Sequence, residues 1–199
     1  VGLSLYKDIY REVVPVSKTE AAELTKLLEN TFRFINISFM NEMAILCDEL
    51  KVDIWEVVEA ASTKPYGFTP FYPGPGIGGH CIPVDPFYLQ WKLQQLDTSS
   101  EFIKISDNIN QRIVDYIVQR TKELLNSTKT LASGKILIYG ITYKKDIADT
   151  RDSSAIEIIK KLIQEGLHVN YHDPFVPTIG IGENKLNSIE LTEDVVREM

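Results

Sequence analysis

From Ser17 to Leu50 the chain runs without a glycine or proline, and apolar residues recur at Leu24, Leu27, Leu28, Phe34, Ile35, Phe39, Met40, Met43 and Leu46. Nothing in that stretch stops a helix, so the pattern predicts one of about thirty residues, about 45 Å long at ~1.5 Å per residue. Ser17-x-x-Glu20 has the spacing of a capping box and sets the predicted start. The apolar positions are too many for one narrow stripe, which predicts burial on more than one side. A second copy of the chain is the expected cover, making a homodimer through this helix. Further along, Asp53-x-x-Glu56 opens a short helix ending near Ser62 and residues 86 to 96 read as another. Thr98-x-x-Glu101 caps a helix reaching about Asn126.

After the polar hinge Ser127-Thr128-Lys129 the pattern changes. Lys135 to Ile141 is a short buried-type strand, and Asp152 or Ser153 caps a helix to Glu165. Gly166 ends that helix, and Leu167 to His172 forms the next strand. This is one βαβ unit. A third possible strand lies ahead of Thr192 to Met199. A free-standing sheet needs more strands, so the C-terminal unit is expected to be cut short. The predicted fold class is therefore α + α/β: an all-helical domain, residues 1–127, followed by a partial Rossmann-like domain, residues 128–199.

Net charge −7 weighs against nucleic acid as a partner, because phosphate binding normally needs a basic surface. No run approaches the ~18 apolar residues of a membrane span, and the first residues lack a signal-peptide pattern, so a cytoplasmic chain with no membrane partner is expected. Cys47 and Cys81 are too few for a disulfide framework and lack zinc-ligand spacing, so no metal is expected. Cys47, inside the apolar helix, reads as core.

Cys81 stands at the exit of the glycine-rich turn Gly74-Pro75-Gly76-Ile77-Gly78-Gly79-His80-Cys81, with Asp85 four residues on. These glycines permit positive φ and close approach of the backbone to a ligand. Gly74, Gly76 and Gly79 also satisfy G-x-G-x-x-G, but prolines at 70, 73 and 75 exclude the strand that a dinucleotide fingerprint requires. The reading that remains is a reactive thiol presented beside free backbone N–H groups. Its plain competitor is a small residue in a tight structural turn.

In their order along the chain, Ala22-Glu23-x-x-Lys26-x-x-x-Asn30, Asn41-Glu42, Gly76-x-Gly78-Gly79-x-Cys81-x-x-x-Asp85 and Tyr143-Lys144-Lys145-Asp146-x-x-Asp149-x-Arg151-x-Ser153 resemble the nucleotide-sugar 6-dehydrogenases, the UDP-glucose/GDP-mannose dehydrogenase family. Phe71 to Gly76 and Gly79 to Leu89 are most similar to the UDP-N-acetylglucosamine 6-dehydrogenase branch. The resemblance implies a central dimerisation domain that carries the catalytic cysteine, followed by a UDP-sugar-binding domain. It also implies NAD as cofactor, a UDP-sugar as substrate and a place in polysaccharide biosynthesis. Family members begin with an NAD-binding Rossmann domain, and nothing before Ser17 contains a βαβ unit, so this chain is expected to lack the cofactor domain and to be inactive alone.

The implied reaction takes a 6-hydroxymethyl sugar through aldehyde, thiohemiacetal and thioester to the uronate, with two hydrides passing to two NAD+. In it Cys81 carries the acyl group, Lys26 and Asn30 stabilise oxyanion character, and Asp85 orients or deprotonates the hydrolytic water. Phe71, Tyr72, Gly76, Gly78, Gly79, His80 and Lys144 contact substrate, and Arg151 contacts cofactor. On a helix Lys26 and Asn30 share one face, so both can point at one reacting oxygen. Three readings stay open. The chain is part of an NAD-dependent UDP-sugar dehydrogenase acting on UDP-GlcNAc, or on UDP-ManNAc or UDP-glucose. Alternatively it is a non-catalytic module that dimerises and binds UDP-sugar. The third is a helical scaffold whose glycine turn is merely structural.

Overall fold

The computed structural model describes residues 2–127 and 134–197. Its spine is α2 (Thr19–Leu50), a helix of 32 residues preceded by the short α1 (Gly2–Tyr6). The predicted capping box does not start α2. Lys18 occupies the N-cap in extended conformation with no side-chain bond, and Thr19 Oγ1 turns to Glu20. Ser17 lies one residue too far out to serve as the cap. Lys51, in the left-handed region at φ 59, ends the helix, and Val52 N–H donates to Cys47 O at 2.9 Å.

The next helices are α3 (Ile54–Ser62), α4 (Asp85–Gln94) and α5 (Glu101–Ser127). Asp53 caps α3 as predicted, accepting from Trp55 N–H at 2.9 Å. Thr98 does not cap α5. Ser100 Oγ accepts from Ile103 N–H instead, and the buried Gln90 of α4 takes the Ser100 N–H on Oε1 at 2.9 Å. The start of α5 is thus set by α4 and not by local spacing alone.

Along α2 one face is buried at Phe34, Met40 and Cys47, against α5 and α4. The opposite side keeps Leu24, Leu28, Phe39 and Leu46 about half exposed, so a wide apolar surface is left uncovered by this chain.

The second unit contains β1 (Lys135–Tyr139), α6 (Ser154–Gln164), β2 (His168–His172), the hairpin strands β3 (Thr178–Ile181) and β4 (Asn184–Asn187), and α7 (Glu193–Arg197). Strands β1 and β2 pair in parallel with Leu137 opposite Asn170, and β3 and β4 pair antiparallel. The third strand expected beyond β2 takes the form of this hairpin, joined to β2 by a single parallel bridge from Tyr171 to Ser188. The first strand ends at Tyr139, two residues earlier than predicted, because Gly140 turns the chain at φ +82. Of the predicted hinge, Thr128 and Lys129 lie outside the described residues.

Helix α5 is shared between the two units. Its N-terminal half packs on α2 through Ile103 and Ile109, while Ile113, Val114 and Val118 pack with Ile158, Ile159 and Leu162 of α6 in one apolar core. Tyr171 is fully buried in that core, with its hydroxyl donating to Val176 O at 3.0 Å. The β1–α6 loop is fastened at both ends. Ile141 N–H donates to the buried Asp173 carboxylate at 2.9 Å, and Ser153 Oγ donates to Ile141 O at 2.6 Å. That second bond explains why Ser153, at the N-cap of α6, makes no side-chain cap. No helix among the described residues is long and apolar enough to cross a membrane.

A polar clamp reinforces the contact of α2 with α5. Tyr116 hydroxyl donates to Asp48, and Arg120 Nε lies 3.0 Å from the same carboxylate. Burial, and then the bond to Asp48, push the Tyr116 phenol up from 10.0 to about 12, while that bond and Arg120 hold Asp48 below the ordinary carboxylate value. A phenol whose folded-state value is raised adds stability that is complete below its unfolded value and is lost as pH climbs through the folded one. Tyr116→Phe is therefore expected to cost roughly 1–2 kcal/mol near neutral pH. Between pH 10.0 and about 12, the wild-type stability should fall more steeply than that of the variant. Urea denaturation at a series of pH values measures both.

Candidate active site

One stripe of α2 carries Lys26, Asn30, Arg33 and Ile37, and this stripe walls a cleft of about 560 Å³. The facing wall is the backbone of Gly76 to Ile82, including His80 and Cys81, and Tyr143 and Lys144 close the side. Lys26 and Asn30 share one face of α2, as their spacing predicts, and both line the cleft that contains Cys81. Their partners were not foreseen. Lys26 Nζ is paired with Glu29 at 3.2 Å, and Asn30, 2% exposed, donates from Nδ2 to Asp85 Oδ2 at 2.5 Å.

Cys81 is exposed, whereas Cys47 is buried in the helical core as expected. The carbonyl of Cys81 accepts from Asp85 N–H at 2.8 Å and from Val84 N–H at 3.2 Å. Cys81 therefore opens the turn that leads into α4, just ahead of the electropositive end of that helix. Asp85, the first residue of α4, is held by its backbone to Cys81 and by its carboxylate to Asn30. Thiol-bearing turn, carboxylate and amide thus form one hydrogen-bonded group.

The glycines line the cleft and also make room for protein on their other side. Gly76 and Gly79 have φ of +129 and +91, but the side-chain space they leave open is filled by protein. A Cβ on Gly78 would stand 2.7 Å from Tyr143 Cβ and 2.9 Å from the Asp152 carbonyl oxygen. One on Gly79 would stand 2.9 Å from the Tyr143 ring, and one on Gly76 2.5 Å from Ser154 Oγ. The turn is bare so that the β1–α6 loop can dock on it, and Gly79 N–H donates to Arg151 O at 3.2 Å across that contact. The same docking brings Lys144 to the cleft.

Other predicted site residues lie elsewhere. Phe71 packs edge-on to Phe32 with centroids 5.7 Å apart, and Tyr72 stacks on Trp55, also at 5.7 Å. Both anchor the segment that leads into the turn and neither lines the cleft. Arg151 is committed to Asp149, with Nη2 to Oδ2 at 2.6 Å and Nε to Oδ1 at 3.0 Å. That pair, with a smaller contribution from His80, holds the Asp149 carboxyl down at about 2. Arg33 and Tyr143 also line the cleft and are not among the residues the sequence points to. Arg33 was findable, since it lies one turn beyond Asn30; the role of Tyr143 was not, because only the docking of the loop shows it. Among the described residues no group of three or more His, Cys, Asp or Glu is placed to hold a metal ion.

Two family models match this chain in order. Residues 20–112 match the central domain of the UDP-glucose/GDP-mannose dehydrogenase family, and residues 137–199 match its UDP binding domain. The chain belongs to that family. It is 31% identical over 194 residues to a UDP-N-acetyl-D-mannosamine dehydrogenase of Methanocaldococcus jannaschii, covering 96% of this chain and 43% of that protein. It is 34% identical over 178 residues to a UDP-N-acetyl-D-glucosamine 6-dehydrogenase of Pseudomonas aeruginosa, covering 86% and 42%. The solved structure of a UDP-D-ManNAc dehydrogenase from Pyrococcus horikoshii superposes with a TM-score of 0.79 at 32% identity, over 88% of this chain and 41% of that one. The chain spans about two fifths of the length of the curated relatives it matches.

The docking contact predicts a sharp contrast between two glycines of the turn. Gly78→Ala places a methyl group against backbone that cannot yield, and is expected to destabilise by roughly 1–3 kcal/mol. Gly74, whose nearest neighbour to an added Cβ is 3.8 Å away, should tolerate alanine. Urea midpoints of the two variants, compared with wild type, measure the difference.

Proposed function

We propose that this chain is the thiol-bearing part of an NAD-dependent UDP-sugar 6-dehydrogenase that oxidises a UDP-N-acetylhexosamine, UDP-GlcNAc foremost, to its uronate through a thioester on Cys81. The observation that carries this reading is the shared cleft in which exposed Cys81 lies with Lys26, Asn30 and Lys144, while Asn30 grips Asp85. Relatives named for UDP-ManNAc and for UDP-GlcNAc share the 2-acetamido group, which supports that substrate class. The division into a helical unit, 1–127, and a UDP-sugar-binding unit, 128–199, belongs to this reading, with α5 packed against both.

NAD would accept the hydrides in such a reaction, and the described residues do not build a site for it. Gly74 to Gly79 lie in an irregular turn and not between a strand and a helix, and Arg151 is occupied by Asp149. The chemistry assigned to this chain is the acyl chemistry. The Cys81 thiolate adds to the C6 aldehyde, forming the C–S bond as the carbonyl π pair moves to oxygen. Asn30 and Lys26 are the donors that meet that oxygen, and such donors are typically worth ~3–4 kcal/mol. Once the acyl carbon is at the acid oxidation level, Asp85 takes a proton from water as the water adds. The C–S bond then breaks, and Cys81 leaves as thiolate. Lys144, brought to the cleft by the glycine docking, meets the diphosphate.

The whole protein, mixed with NAD+ and UDP-GlcNAc or UDP-ManNAc, tests the assignment by intact-protein mass spectrometry. Asp85→Asn leaves the thiol able to add and is expected to accumulate a sugar adduct on Cys81. Cys81→Ser should form some aldehyde but little acid, since a hydroxyl is a much weaker nucleophile near neutral pH. Wild-type uronate production by Cys81→Ser would end the thioester reading and return the turn to a structural role.

The uncovered side of α2 supports the homodimer. Leu24, Leu28, Phe39 and Leu46 present an apolar surface that a second α2, related by a two-fold axis, would bury. Sedimentation at micromolar concentration should give a dimer, and Leu28→Glu combined with Phe39→Glu should give a monomer. A wild-type monomer that binds no apolar dye would refute the interface.

A further inference from the structure

A chain of polar side chains runs through the contact between α2 and α5 and ends on the glycine turn. Ser38 Oγ donates to Phe34 O at 2.7 Å and accepts from Asn110 Nδ2 at 2.7 Å. Asn110 Oδ1 accepts from Asn41 Nδ2 at 3.1 Å, and Asn41 Oδ1 accepts from Gly74 N–H at 2.8 Å. Ser38 and Asn41 are both 0% exposed. Two amides and a hydroxyl inside a helix contact are costly unless every group is matched, and apolar residues of similar size would hold α2 on α5 as well. Among the described residues, the bond to Gly74 is the hydrogen bond of this network that leaves the two helices.

Gly74 opens the turn, and the turn is held a second time by Gly79 N–H on Arg151 O at 3.2 Å. Between those two anchors the chain has glycine at 76 and 78, which bring no side chain of their own and lie by backbone against Ser154, Tyr143 and Asp152. Cys81 follows two residues after the second anchor, four residues ahead of the start of α4. The first anchor therefore fixes the turn against the helical unit, and the second fixes it against the α/β unit. Resting on the reading of Cys81 as nucleophile, we propose that Asn41 is a positioning residue. Through Gly74 it sets where the turn, and with it the thiol, stands relative to the cations of α2 and the β1–α6 loop.

The reactivity of Cys81 toward two alkylating reagents reads this placement in the chain as it stands. Iodoacetate is an anion and iodoacetamide is neutral, so the ratio of their rates reports the charges around the thiol, whereas global loosening alters both rates together. Lys26, Arg33 and Lys144 line the cleft, and wild-type Cys81 is expected to favour iodoacetate by roughly threefold or more over an unstructured peptide thiol. Buried Cys47 serves as the folding control in the same samples. Asn41→Ala should drop the Cys81 ratio toward the peptide value with Cys47 still protected. Ser38→Ala, which cuts the same network but spares the bond to Gly74, should keep the wild-type ratio. If Asn41→Ala exposes Cys47, Gly74→Pro decides, because it removes the donor and leaves the side-chain network intact; the same drop is expected.

A ratio that stays high in the folded variants overturns the positioning role and leaves the catalytic reading standing. An equal drop in Ser38→Ala makes Asn41 merely a member of the helix contact and overturns the proposal too. A wild-type ratio equal to that of the peptide sinks both, because no cation then acts on the thiol.

Discussion

The arrangement turns on a steric vacancy. At Gly78 the backbone of the turn comes so close to Tyr143 and to the Asp152 carbonyl that no Cβ fits between them. Through that approach the β1–α6 loop and the thiol-bearing turn become two walls of a single cleft. The loop can make the approach because it is stiff at its root, where Asp173 takes Ile141 N–H and Ser153 holds Ile141 O. A floppy loop would gain the same contacts only by losing entropy on docking.

The helical side supplies the fixed reference. Helix α2 carries the stripe Lys26, Asn30, Arg33 and Ile37 along the cleft, and a neighbouring face carries Phe34, Ser38 and Asn41 into the contacts with α4 and α5. One rigid helix therefore sets the site residues, the core and the anchor of the turn together. Helix α5 extends this rigidity into the second unit, because its C-terminal half shares a core with α6. The cleft lies between units that are packed as well as linked.

The pairing of Asn30 with Asp85 changes the chemical picture drawn from the residues alone. Spacing on α2 suggested ammonium and amide aimed together at a substrate oxygen. In the structure the ammonium of Lys26 is held by Glu29 and the amide of Asn30 by Asp85, so a ligand in the cleft would have to share or displace each donor's present partner. For an amide nitrogen with two hydrogens, sharing costs little. For Lys26 the competing carboxylate is on an exposed surface, where such a pair is weak.

Period and punctuation in the sequence were enough to determine the long helix, the short helix capped by Asp53, the βαβ unit and the common face of Lys26 and Asn30. Each depends on neighbours within a few residues, and local backbone sterics carry that information. The four motif blocks likewise carried the family. Capping was legible only in part: Asp53 caps its own helix, but Ser100 rather than Thr98 starts α5, because Gln90 from another helix holds that backbone. What each glycine makes room for, which amide anchors the turn, and why Phe71 and Tyr72 face Phe32 and Trp55 instead of the cleft were decided by tertiary structure. Those choices depend on groups far apart in sequence competing for the same space and the same hydrogen-bond partners, and that competition is resolved only when the elements pack.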